Sequence, residues 1–388
     1  MRSRTRTLAA LSAAALLALT GCGSDTGGND DAETAPHGYV EGAQEQAEPL
    51  PALAYAPAKG RTLYLLDPVS EKTREFPLSL GAARLYEDDR FVYVSDGGTG
   101  VEIVDAGCWT VDHGDHKHFY QAEPKNLGSV KLGGKLTSVA AQRGFVALGT
   151  DDGDVRILDR KMLENGTISE VGTLQTNDAA GFAVPFSDGL LLARDGNIEY
   201  TDARGAAQGA RETCREPGGS ALLKNKVAIS CADGVLLFAL DGETVTGQLL
   251  PYAPGHPRAA GFGYRPRSNA AAAPAQGGAW LVDSSARTLT WMPAPGEVRA
   301  AFDTGRDDVV LVLGADGALR SLRAPAGAPI ADTAIPRAGT ALVADTARAY
   351  VNSPGEKKIT EIDYADAVRV ARTLTAKAAP DLLVEVGR

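Results

Sequence analysis

"FVALGTDDGDVRILD", Phe145–Asp159, carries the pattern that decides the fold. Two short apolar runs are separated by a Thr-Asp-Asp-Gly reversal, and the second run ends on an aspartate. Glycine supplies the positive φ that a sharp reversal needs, and an aspartate side chain accepts hydrogen bonds from backbone just ahead of it, so the stretch reads as a β-hairpin followed by a second turn. The theme returns in "FVYVSDGGTGVEIVD" (Phe91–Asp105), "LLLARDGNIEYTD" (Leu190–Asp202), "VAISCADGVLLFALD" (Val227–Asp241) and "VVLVLGADGALRSL" (Val309–Leu322). Its closing positions Asp67, Asp105, Asp159, Asp202, Asp241, Asp283, Leu322 and Asp363 lie 38, 54, 43, 39, 42, 39 and 41 residues apart. Turn chemistry accounts for these aspartates, and none is assigned a catalytic role.

A period of about 41 residues with several short strands in each unit is the signature of an all-β fold, the β-propeller. One such sheet cannot bury both of its faces; stacking the sheets in a ring does. Eight copies of the motif favour eight blades. The unit "AGFGYRPRSNAAAAPAQGGAWLVD" (Ala260–Asp283) is irregular, so seven blades with one decorated blade is the alternative. The first unit lacks an innermost strand while "DLLVEVG" (Asp381–Gly387) is left over at the other end, so a C-terminal strand is expected to close the ring. Long amphipathic helical periodicity is missing from the body, which argues against an α/β enzyme fold.

The chain of 388 residues opens "MRSRTRTLAALSAAALLALTGCGSD". Arginines followed by the short apolar run Leu8 to Leu19 place a secretory signal over residues 1–21. Leu19-Thr20-Gly21-Cys22 resembles a bacterial lipobox, in which the cysteine is lipidated and becomes the mature N-terminus. Residues 22–50 are poor in large apolar side chains and read as a flexible tether, leaving residues 51–388 as the propeller domain. The expected location is the extracytoplasmic face of the cell membrane, held by the lipid. A net charge of -10 argues against nucleic acid or an anionic membrane surface as an electrostatic partner.

An oxidising compartment permits disulfides. Of four cysteines, Cys22 is assigned to lipid, and Cys214 and Cys231 flank a turn-rich segment and a strand. Pairing these two closes a loop worth about 3 kcal/mol and is favoured over the alternatives. Cys108 is then unpaired, as a small core residue or as a reactive or metal-binding thiol.

The interval of 54 residues places about a dozen extra residues just after Asp105, and there stands "CWTVDHGDHKHFY" (Cys108–Tyr120), with three of the chain's five histidines. His113, His116 and His118, interleaved with Asp112 and Asp115 in a loop spanning residues 106–120, are the candidate metal ligands. Neutral imidazole suits zinc, ahead of copper or nickel, and in an extended segment His116 and His118 point to one face. His37 in the tether and His256 in "PYAPGHPRAAGFGY" are the other mature histidines and the reserve ligands. "DDGD" (Asp151–Asp154) lacks the rest of a calcium loop and reads as a hairpin turn.

Taken in order, "HGYVEGAQEQAEP" (His37–Pro49), "WTVDHGDHKHFY" (Trp109–Tyr120) and Cys214, Cys231 with Asp233-Gly234-Val235 resemble the extracytoplasmic zinc metallochaperones of the AztD type. That resemblance implies a β-propeller that binds zinc and delivers it to the solute-binding protein of a zinc ABC importer. It implies that His113, His116 and His118, with Asp112 or Asp115 nearby, form the zinc-handling loop. The sequence departs from the family at Cys214-Arg215-Glu216-Pro217-Gly218-Gly219-Ser220-Ala221, where Gly218 occupies the position of a family histidine.

The rival reading is a membrane-anchored propeller scaffold for envelope protein interactions with no metal role. An enzyme is not expected: no His-Glu-x-x-His helix, Gly-x-Ser-x-Gly elbow or cofactor fingerprint occurs, and Trp109, Trp280 and Trp291 do not recur once per unit.

Overall fold

The structure is a computed structural model that describes residues 40–113 and 116–388. The chain is all-β. Its body is a succession of antiparallel sheets, each built largely from consecutive strands, as the repeated hairpin motif requires. The second sheet pairs Arg84–Glu87, Phe91–Ser95, Gly100–Asp105 and Lys125–Lys131 in spatial order. The third pairs Leu136–Gln142, Phe145–Thr150, Asp154–Asp159 and Glu170–Gln175, with the short helix Arg160–Glu164 between its last two strands. Asp159 closes the motif and caps that helix, its side chain accepting from the backbone N–H of Lys161 and Met162. The same economy holds elsewhere: Asp67 accepts from Val69 and Ser70, Asp202 from Arg204 and Ala206, and Asp283 from Ser285 and Ala286. Asp152 of the Asp-Asp-Gly-Asp run likewise accepts from Thr150 Oγ1 and the Asp154 N–H, which makes that run a hairpin turn.

In the first sheet, Leu382–Val386 from the end of the chain pairs with Ala52–Ala56, followed by Thr62–Leu66 and Thr73–Pro77. The register sets Ala52 opposite Val386 and Ala56 opposite Leu382, so one sheet is woven from both ends of the domain.

Burial explains why the strands read as apolar runs with a hidden alternation. Every residue of Phe91–Ser95 is buried, yet Phe91 and Tyr93 join Val146 and Leu148 of the third sheet, while Val92 and Val94 join Ala54 and Leu63 of the first. Successive side chains leave a strand on opposite faces, so each sheet feeds two apolar layers. The seventh sheet repeats this, Val310 and Val312 facing Leu281 and Met292 of the sixth, and Leu311 and Leu313 facing Val351 and Ile362 of the eighth. A further layer joins Tyr350 and Ile359 of the eighth sheet to Leu53, Tyr55 and Leu383 of the first.

The sixth sheet is the irregular one. It holds three strands, Ala270–Ala275, Gly278–Asp283 and Thr288–Pro293. Where the other units have a first strand, this one has a coil attached by single bridges, Gly263 to Ala272 and Tyr264 to Asp303. Pro254, Pro257 and Pro266 stand in that coil and lack the N–H groups a ladder needs. Cys214 and Cys231 form the disulfide, which ties the end of the fourth sheet to the fifth.

Candidate metal centre

The histidine stretch is an insertion between the third and fourth strands of the second sheet. Cys108–Asp112 and Lys117–Gln121 form an antiparallel hairpin whose register sets Trp109 opposite Tyr120 and Val111 opposite His118. At its root, Gly107 has φ +71°, and a Cβ there would lie 2.5 Å from the Ala122 carbonyl oxygen, so the two legs cross at a point that only glycine fits. The root is buried: Cys108, Trp109 and Tyr120 are each less than a tenth exposed. The tip is not, and His113 and His116 are exposed.

The turn brings the imidazoles together. His113 N–H donates to the His116 carbonyl at 3.0 Å, which closes the reversal between them. Ring centroids lie 5.0 Å apart for His113 and His116, 5.3 Å for His113 and His118, and 4.9 Å for His116 and His118. One ring nitrogen from each of the three lies within 4.8 Å of the others, the one such convergence of His, Cys, Asp or Glu side chains among the described residues. Three nitrogens at this spacing can close around a zinc-sized ion at about 2.0–2.1 Å with small side-chain rotations and leave a fourth position for water, a carboxylate or an incoming ligand.

Beneath the tip the hairpin is stiffened by a column of planar groups. The Arg90 guanidinium lies 3.9 Å from the Trp109 ring centroid and is held from behind by Asp105, both nearly fully buried, through Nη2 to Oδ2 at 2.8 Å and Nε to Oδ1 at 3.2 Å. Trp109 stacks on Tyr120 at 5.5 Å, and Tyr120 on His118 at 6.3 Å. Burial pushes the Tyr120 phenol above its ordinary range. His118 thus stands on a buried, paired foundation, a feature that sequence spacing does not reveal.

A second feature absent from the sequence reading is Glu45. Gln44–Gln46, in the segment read as tether, pairs antiparallel with Lys117–Gln121, Glu45 opposite Tyr120. Glu45 Oε1 lies 2.7 Å from His118 Nδ1.

The remaining candidates are placed elsewhere. Asp112 directs its carboxylate to Arg267, 2.9 Å away, and to Lys117, 3.6 Å away, so it stands outside the three-histidine group and braces the hairpin against the coil of the sixth unit. His256 lies exposed in that coil, with its ring packed on Trp291 at 4.5 Å and Trp280 at 5.7 Å; it too stands outside the group. Trp280 Nε1 donates to the Pro257 carbonyl, which fixes the coil there. At Gly218 a Cβ would lie 2.4 Å from Arg258 Nη2, and that guanidinium is paired with Glu216, so an arginine fills the space a side chain at position 218 would take. Cys108 is buried and free, its thiol pushed far up by burial, which makes it a core residue and a poor ligand. Asp115, His37 and Cys22 lie outside the described residues.

No protein-family model matches the chain, and no curated protein matches it in sequence. Solved structures do match in shape. The crystal structure of Citrobacter koseri AztD superposes with a TM-score of 0.74 at 19% identity, covering 88% of this chain and 99% of that one. Apo AztD from the same organism gives 0.74 and 19%, covering 87% and 98%. BamB from Moraxella catarrhalis is more distant, with a TM-score of 0.51 at 14% identity over 78% of this chain and 90% of that one. The chain therefore has the β-propeller fold of the AztD structures over most of its length.

Proposed function

We propose that the chain is a zinc-binding extracytoplasmic lipoprotein of the AztD type, a metallochaperone that delivers zinc to the solute-binding protein of an ABC importer. The observation that carries this reading is the convergence of His113, His116 and His118, whose ligand nitrogens lie within 4.8 Å of one another at the exposed tip of an inserted hairpin. Exposed imidazoles have no packing reason to gather, and a site open on one side lets a partner replace ligands singly without releasing the ion to water. The shared fold with AztD supports the family assignment. In this reading Cys22 carries the lipid, residues 1–21 are removed, and the domain works at the outer face of the membrane. The run of apolar layers from sheet to sheet, with one joining the eighth to the first, supports an eight-bladed ring closed by Leu382–Val386.

The test is direct. The full chain, loaded with zinc and passed through gel filtration, is expected to retain the metal, and the variant His113→Ala, His116→Ala, His118→Ala is expected to lose it while keeping its melting temperature. Failure of the unsubstituted chain to take up zinc, copper or nickel at micromolar concentration near neutral pH would reject the cargo role and leave the scaffold reading.

A further inference from the structure

We propose that Glu45 is a positioning residue for the metal site, and that through it the segment preceding the propeller is coupled to metal occupancy. The inference rests on the zinc reading above and adds to it a residue from a different part of the chain. An ionised carboxylate can only accept, so the 2.7 Å contact between Glu45 Oε1 and His118 Nδ1 puts the proton on Nδ1. Nε2 is then the nitrogen His118 offers to a metal. This is the arrangement in which an outer carboxylate sets the tautomer of a ligating histidine, holds its ring and raises its basicity.

The contact is produced by register. Glu45 is paired with Tyr120, and in an antiparallel ladder the diagonal neighbour on the same face is the residue two positions along, His118. Gln46 opposite Phe119 and Gln44 opposite Gln121 complete the strand. Without this pairing the carboxylate has no route to the imidazole. Gln44–Gln46 has no buried residue of its own, so its attachment rests on this ladder and on the His118 contact. A metal bound by His118 strengthens the Nδ1–H donor, and so strengthens the grip on Glu45. By linkage the paired segment must then strengthen metal binding by the same factor.

The experiment compares the full chain with Glu45→Ala and Glu45→Gln. Zinc affinity, measured by competition with a chromophoric chelator, is expected to fall 10–100-fold in Glu45→Ala and by less in Glu45→Gln, whose carbonyl still accepts the bond without the charge. In the metal-free chain, imidazole 15N shifts are expected to report the Nδ1–H tautomer at His118 and its loss in Glu45→Ala. Amide exchange at Gln44–Gln46 is expected to slow on adding zinc. Wild-type affinity in Glu45→Ala, with an unchanged His118 tautomer and exchange indifferent to zinc, would overturn the positioning role while leaving the zinc reading intact. Absence of zinc uptake by the unsubstituted chain would overturn the zinc reading itself, and the tautomer measurement, which needs no metal, would still judge the Glu45 to His118 bond.

Discussion

Cys108 and His118 belong to one hairpin and to opposite regimes of solvent. The thiol is packed beneath the root, where a Cβ on Gly387 would come within 2.7 Å of its sulfur, and burial holds it protonated. Only the thiolate reacts, so iodoacetamide should leave Cys108 unlabelled in the native Cys22→Ser chain and label it fully in denaturant, as peptide mapping can read. The histidines face the other way, and their fitness as the proposed ligands comes from neighbours that hold without covering them. A residue's type sets what it can do, and its depth sets whether it does. That is why Cys108, adjacent in sequence to the histidine cluster, is not part of it in space.

Elements that form by local pattern were legible in the sequence; those that form by distant register were not. Hairpins such as Phe145–Asp159 announce themselves through apolar runs broken by Asp and Gly, and the inserted position of the histidine loop follows from one long interval. The three histidines converge because a backbone hydrogen bond joins His113 to His116 and His118 lies two residues further on, in the strand Lys117–Gln121. Gln44–Gln46 carries no such mark: three polar residues have neither apolar alternation nor β-branched side chains, and the strand exists because the edge of Lys117–Gln121 receives it. Asp112 stands beside His113 in the sequence, and its ion pair with Arg267, from the coil of the sixth unit far along the chain, carries no sequence signal. The disulfide is the intermediate case, suggested by spacing and realised by the closeness of two strand ends. It closes a loop across a separation of 17 residues, so replacing Cys214 and Cys231 by Ser should lower unfolding stability by about 3 kcal/mol, measured in urea.

At the scale of the molecule, apolar layers alternate with sheets, and buried polar groups are mostly partnered. Glu385 is one that is not. It is fully buried in Leu382–Val386, and neither carboxylate oxygen has a hydrogen-bond partner among the described residues. Burial first, then the negative charge of Asp345, holds its carboxyl well above the usual range, while Arg388 opposes the shift. Between the ordinary carboxyl pKa and this raised value the native state holds a proton that the unfolded chain has lost, so stability declines as pH rises through that window. Glu385→Gln removes the difference. Urea unfolding should show the variant equal to wild type near pH 4 and more stable by about 1–3 kcal/mol at pH 8; a gain independent of pH would contradict the assignment.

The pairing of Ala52–Ala56 with Leu382–Val386 has a consequence in time. A chain that appears from a ribosome or a translocation channel beginning with its N-terminus can assemble its middle sheets as they arrive, because those hairpins are local. The sheet that starts the domain must wait for residues made after the rest of the domain, and until then it offers an unsatisfied edge to any passing strand. Maturation of this molecule is therefore completed in a single late event, and a nascent chain stalled short of Leu382 is the form most exposed to misassembly.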